Sequence, residues 1–160
     1  MGIRTGAVTM SHFISTNGMY LPFLGQMLEY VPSARAQCIM CVEGEGGAPI
    51  AGVAYDGYNG HIIMAHIWID KGRKPSKEWI AAIFDYPFNK LGVKKIIGQV
   101  RSGNAAALEI DGHFGFEFEA RISNFYGTGE SLEVLTMTRE QCKILNSPLW
   151  AKTVARVSRV

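Results

Sequence analysis

Three apolar runs separated only by glycine-rich turns constrain this chain more than any other feature. Gln37 to Val42, Ile50 to Tyr55 and His61 to Ile69 each read as a strand. Gly44-Glu45-Gly46-Gly47-Ala48-Pro49 joins the first two, and Asp56-Gly57 with Asn59-Gly60 joins the second pair. Such short turns predict an antiparallel meander. The period then changes. Ser76 is a candidate N-cap, Glu78 suits a first turn, and Ile80, Ile83, Phe84, Phe88 and Leu91 form one apolar helical face closed by Gly92. Pro87 has no N–H for the Ile83 carbonyl and is expected to kink the last turn. Lys95 to Val100 is strand-like again, so strand–helix–strand predicts a parallel pair with a right-handed crossover.

Ser102-Gly103-Asn104 opens a second helix through Ala105, Ala106, Ala107 and Leu108, which Gly115 closes. Phe116 to Arg121 alternates at period two, and Ser131 to Met137 follows as a strand. Thr138-Arg139-Glu140-Gln141 is a capping box for a short helix to about Leu145. Near the amino terminus, Ile3 to Met10 suits a strand, and Met19, Phe23, Met27 and Leu28 recur at helical spacing before Pro32. The order is βββ–α–β–α–ββ, an α+β domain with a mixed sheet. No repeat, low-complexity stretch or charge block divides the 160 residues, so 1–160 reads as one domain.

With 16 Lys+Arg against 14 Asp+Glu, the net charge of +2 gives no reason to expect nucleic acid or a membrane surface as partner. The longest apolar run, Ile62 to Ile69, is broken by His66 and is too short to span a bilayer. Nothing near Met1 reads as a leader peptide. Three cysteines argue against a disulfide framework. Cys38 and Cys41, three apart on a strand, point to opposite faces, and no other pair has zinc spacing, so no metal is expected. The expectation is a cytoplasmic domain. The tail, Leu149 to Val160, has Lys152, Arg156 and Arg159 and no acidic residue; it is expected to pack partly on the domain or to fray.

The stretch Phe84-Asp85-Tyr86-Pro87-Phe88-Asn89-Lys90-Leu91-Gly92-Val93-Lys94-Lys95-Ile96, with Asn104-Ala105-Ala106-Ala107-Leu108 and Gly115-Phe116, resembles the GNAT superfamily of acyl-CoA N-acetyltransferases. It is closest in flavour to the ribosomal-protein N-terminal acetyltransferase branch and to small GNAT-like proteins of tailed phages. The resemblance covers roughly residues 37–138, leaving 139–160 as a C-terminal helix and tail. It implies a GNAT fold: a mixed, mostly antiparallel sheet with a central splayed parallel pair and flanking helices. It also implies acetyl-CoA as co-substrate and a primary amine as acceptor, in a small molecule or at a protein N-terminus. A homodimer is compatible with it. The rival reading is a GNAT-fold protein that has lost catalysis and acts as a binding module.

Residue by residue, the family's pyrophosphate loop would fall on Arg73-Lys74-Pro75-Ser76-Lys77-Glu78. Only Arg73 matches the family pattern. Ser76 and Glu78 replace small residues; Lys71, Arg73, Lys74 and Lys77 supply positive charge beside a helix N-terminus. Backbone N–H groups near Ile67, Trp68 and Ile69 would bind the thioester and its oxyanion. Asn104 would hydrogen-bond the CoA arm, with an ordinary N-cap as the alternative. Where many GNATs place a tyrosine to protonate the thiolate stands Asp111, which can donate only if burial raises its pKa; a solvated position is the expectation. His66, on one strand face with Trp68, is the candidate base, with a hydrogen-bonded core histidine as its alternative. His113 reads as a structural helix-end cation; Asp70 and Glu45 are lesser candidates.

Overall fold

The computed structural model describes residues 12–159 other than 45 and 128. The strand expected over 3–10 lies outside them, as does Glu45. A strand that sequence patterning did not reveal, β1 (His12–Ser15), comes first. A 3-10 turn (Gly18–Tyr20) leads into α1 (Leu21–Leu28). The meander follows as β2 (Gln37–Glu43), β3 (Pro49–Asp56) and β4 (Ile62–Ile69). Then come α2 (Lys77–Asp85), a π-helical turn (Tyr86–Lys90), β5 (Lys95–Arg101) and α3 (Ala105–Phe114). The chain ends with β6 (Glu117–Ile122), β7 (Leu132–Met137), α4 (Lys143–Asn146), a 3-10 turn (Pro148–Trp150) and α5 (Ala151–Ser158).

The seven strands form one sheet in the order β1-β2-β3-β4-β5-β7-β6. Every neighbouring pair is antiparallel except β4 and β5. That parallel pair is joined through α2, as a right-handed crossover requires. Its registered pairing runs only from Ile62↔Lys95 to Met64↔Ile97, whereas β4 continues to Ile69 and β5 to Arg101. Beyond Met64 the two strands part.

Strand alternation sorts the core into two layers. Cys38, Met40, Val42 and Ala54 pack with Leu24 of α1 on one face, and Ile39, Cys41, Val53 and Tyr55 pack with Trp79, Ile83 and Phe84 of α2 on the other. The cysteines do point to opposite faces, and all three are free. Trp79 anchors α2 by donating from Nε1 to the Ile39 carbonyl at 2.9 Å. Ser76 caps α2 by accepting from Trp79 N–H, and Asn104 caps α3 by accepting from Ala107 N–H. Gly115 ends α3 at φ 114°, where a Cβ would meet the Gln141 carbonyl oxygen.

The kink expected at Pro87 takes the form of the π-helical turn, closed by Leu91 N–H on the Tyr86 carbonyl. The Ile83 carbonyl that Pro87 cannot reach accepts instead from the Tyr55 hydroxyl. The Thr138–Gln141 box forms reciprocally, Thr138 N–H to Gln141 Oε1 and Gln141 N–H to Thr138 Oγ1. It serves a turn, and the helix begins later, at Lys143. The basic tail is ordered as α5 against α2, with Arg156 donating to Glu78 and Ser158 to Asp85.

Candidate active site

The parting of β4 from β5 leaves backbone groups of both strands without a partner strand. Asp70 N–H donates to the Ile50 carbonyl, so in the antiparallel β3–β4 ladder Asp70, Trp68 and His66 exchange bonds with β3. By the same alternation the N–H groups of Ile67 and Ile69 aim into the gap. Here the expectation for Trp68 is corrected: its backbone N–H belongs to β3, and its indole packs edge-on against Phe23 at 5.0 Å.

Two adjoining cavities of about 150 and 170 Å³ occupy the gap. Ala65, His66 and Ile67 of β4, Gln99, Val100 and Arg101 of β5, and Asn104, Ala107 and Asp111 at α3 line the first, with the end of α1 and Tyr126 closing it. Thus the two catalytic candidates, His66 and Asp111, open onto one cavity although 45 residues separate them in sequence.

Asp111 is not solvated. Ala107, Asp111 and Phe114 recur at i, i+4, i+7, which puts them on the α3 face turned to the sheet. Asp111 is 8% exposed, and burial pushes its pKa up to about 7. The carboxyl lies against β5 at Gly98, where a Cβ would stand in ordinary van der Waals contact, 3.9 Å from Asp111 Oδ2. No described residue donates to that carboxyl. The helical spacing was the signal for its burial; the alanine-rich helix obscured it.

His66 is buried at 9% exposure and stacks on Tyr30 at 4.1 Å between ring centres. Burial lowers its pKa below the ordinary 6.5, only partly opposed by Asp56. Asp56 accepts from Ser33 through both backbone and side chain, which ties the segment after α1 to β3 and holds Tyr30 over His66. The Tyr30 hydroxyl is buried without a partner among the described residues, and burial, with the nearby Asp56, pushes its pKa up to about 12.

The basic loop is arranged differently from its expected form. The Arg73 guanidinium is engaged by Glu43 and lies 4.0 Å from Asp70. The Lys77 ammonium sits 4.9 Å above the Trp150 ring. Ser76 spends its hydroxyl as the α2 cap, while Lys71 and Lys74 are exposed. Glu78 does not stand alone at the helix N-terminus, because Arg156 hydrogen-bonds it and holds its carboxyl below the ordinary range. His113 is in the last turn of α3, as expected. Among the described residues no group of three or more His, Cys, Asp or Glu could hold a metal ion, and no helix is long and apolar enough to cross a membrane.

A seven-stranded mixed sheet opened between its central parallel strands, with a helix after each of those two strands, is the GNAT fold. Solved structures similar to it include spermidine/spermine N-acetyltransferases. Mutant forms of the spermidine/spermine N-acetyltransferase SpeG from Vibrio cholerae match at TM-score 0.67 and 15% identity, covering 86% of this chain and 99% of that one. A dodecameric form of the same enzyme matches at TM-score 0.65 and 16% identity, covering 86% and 98%. Its complex with CoA and spermine matches at TM-score 0.58 and 16% identity, covering 79% and 78%. At these identities the likeness is one of fold, and none of the three is a ribosomal-protein or phage enzyme. No family model matches the sequence, and no curated protein matches it either.

Proposed function

We propose that this chain is an N-acetyltransferase that moves acetyl from acetyl-CoA to a primary amine by direct transfer. The observation that carries the reading is the β4–β5 gap, onto which a buried neutral histidine and a buried carboxyl both open. The structural neighbour in complex with CoA and spermine supports it. The pantetheine arm would lie in the gap beside the Ile67 and Ile69 N–H groups, which suit a thioester carbonyl and its oxyanion. Asn104, whose Oδ1 already serves Ala107, would meet the arm through its amide nitrogen. Lys71, Lys74 and the N-terminus of α2 would meet the phosphates, with Arg73 bracing the loop through Glu43.

The amine nitrogen attacks the thioester carbonyl carbon, a C–N bond forms, and the C–S bond breaks. His66, neutral because burial depresses its pKa, accepts the proton that the amine sheds. Asp111, held protonated by burial up to about pH 7, donates to the departing sulfur. A protein N-terminus and a small amine are both acceptors of this chemistry. Self-association belongs to the same reading and is supported by the dodecameric neighbour.

Calorimetric titration with acetyl-CoA and a thiol-release assay with primary amines test the proposal. Micromolar binding and amine-dependent release of CoA are expected. Failure to bind acetyl-CoA at millimolar levels would leave the fold as a binding module without catalysis.

A further inference from the structure

A base that takes up a proton inside a protein becomes a buried cation, which is costly unless a charge answers it. Across the antiparallel β3–β4 pair, His66 stands opposite Ala54 and Asp56 stands opposite Met64. Asp56 and His66 are therefore diagonal neighbours on one face of the sheet, on the order of 7–8 Å apart along the backbone. The Asp56 carboxylate is held by neutral donors alone. Its Oδ2 accepts from Ser33 N–H at 2.8 Å, and its Oδ1 accepts from the Ser33 hydroxyl at 2.5 Å and from Gly57 N–H at 3.0 Å. Burial would raise its pKa, but these bonds outweigh burial and hold the carboxyl below the ordinary range. No lysine or arginine among the described residues forms an ion pair with it. Asp56 is thus an ionised group without a cation of its own, beside a base that becomes one when it works.

The other groups around His66 are already neutral or already paired. Tyr30, stacked on the ring, is a phenol that burial, with Asp56 nearby, pushes up to about 12. Cys38, opposite Ala54 on β2, is a thiol that burial also pushes up. Asp111, across the cavity, keeps its proton up to about pH 7 through burial. Glu29 and Arg101 line the same cavity, but Arg101 donates to Glu29 at 3.2 Å and to Glu130 at 2.8 Å, so these charges answer one another. Arg35 shares a separate cavity with Asp56, gives its backbone N–H to Ser33 Oγ, and leaves the carboxylate unpaired.

We propose that Asp56 is a positioning residue of the transfer reaction, its carboxylate serving as the counter-charge for the His66 imidazolium. Asp56 exchanges no proton. The amine proton moves to the imidazole and stays there while the C–S bond breaks, and the fixed carboxylate lowers the cost of that buried cation. The three neutral bonds keep the charge in place, and through Ser33 they keep Tyr30 on the ring. The inference rests on the amine-acetylation reading and adds a residue to its mechanism.

The test combines thiol-release kinetics with an NMR titration of the His66 ring in the full chain, its signal assigned by its loss in His66→Gln. Asp56→Asn keeps the size of the side chain and removes the charge. It should move the His66 midpoint, and the acid limb of the kcat profile with it, toward acid by about half a pH unit or more. On the plateau kcat should fall about threefold as the base weakens, with KM for acetyl-CoA unchanged. Asp56→Glu keeps the charge and should return the midpoint toward wild type. Ser33→Ala removes one of the three bonds and keeps the charge, so it should lower the melting temperature and leave the midpoint in place. An unmoved midpoint in folded Asp56→Asn overturns the inference, as does an equal shift in Ser33→Ala. Should Asp56→Asn not fold, about 1 M salt added to the wild-type chain should move the midpoint the same way by screening, and no movement overturns the inference equally. A wild-type chain that acetylates no primary amine overturns the acetyltransferase reading and this role with it, whereas an active chain with an unmoved midpoint overturns the inference alone.

Discussion

His66 and Asp111 are opposite cases of one physical effect. Burial penalises the charged form of each, so the imidazole loses its proton more easily and the carboxyl keeps its own longer. The kcat profile should therefore rise with pH through a value below 6.5 and fall beyond about 7. His66→Gln should remove the low-pH limb and lower kcat by roughly 10²–10⁴-fold while acetyl-CoA still binds. Wild-type kcat in a folded His66→Gln chain would exclude it as the base. Asp111 makes a separate stability prediction. Its folded pKa lies above the unfolded value of 3.8, at about 7. The folded chain therefore holds a proton that the unfolded chain has lost, and stability declines as pH rises between those values. Above pH 7 the penalty is complete, with an upper limit of about 4 kcal/mol. Asp111→Asn should thus be more stable than wild type at pH 8, and urea melts should show the gap closing toward pH 4.

At the scale of an element, the segment from α2 into the π-helical turn shows how a missing donor is replaced. Pro87 offers no N–H to Ile83, and the Tyr55 hydroxyl from β3 fills that acceptor. Tyr55→Phe should leave a buried carbonyl unsatisfied and cost about 1–3 kcal/mol. Pro87→Ala restores the intrahelical donor, so the double variant should lose less than the sum of the two single changes. A double-mutant cycle by thermal melting measures this, and a coupling indistinguishable from zero would show that the two groups do not substitute for each other.

For the whole molecule, the decisive feature is a sheet that stops pairing at its centre. If the gap receives the acetyl-CoA arm, amides already bonded to β3 should respond differently from those aimed into the gap. Hydrogen exchange with saturating acetyl-CoA should slow at Ile67 and Ile69 and change little at Trp68 and His66 beyond the global stabilisation. That global term should reach about 3–4 kcal/mol when ligand exceeds Kd by a few hundred-fold or more. Uniform protection along β4 would place the ligand elsewhere.

Local patterning was enough for most elements, because each rests on forces acting within a few residues. The three meander runs, the Ser76 and Asn104 caps and Gly115 are all where periodicity and capping chemistry put them. The opposite faces of Cys38 and Cys41 also follow from strand alternation alone. Those same rules said little about β1, whose four residues carry no strong period and depend on pairing with β2. They also misplaced Asp111, since burial is decided by what α3 packs against rather than by the polarity of the side chain. Glu29, Tyr30, Arg101 and Tyr126 had no motif to mark them, and only folding brings the end of α1 and the β6–β7 connection to the mouth of the β4–β5 gap. The sequence by itself determined most of the elements, the meander and the helix caps among them, and the family resemblance. The tertiary structure alone decided which charges meet around the cavity, because such meetings depend on distances across the sheet that no local pattern encodes.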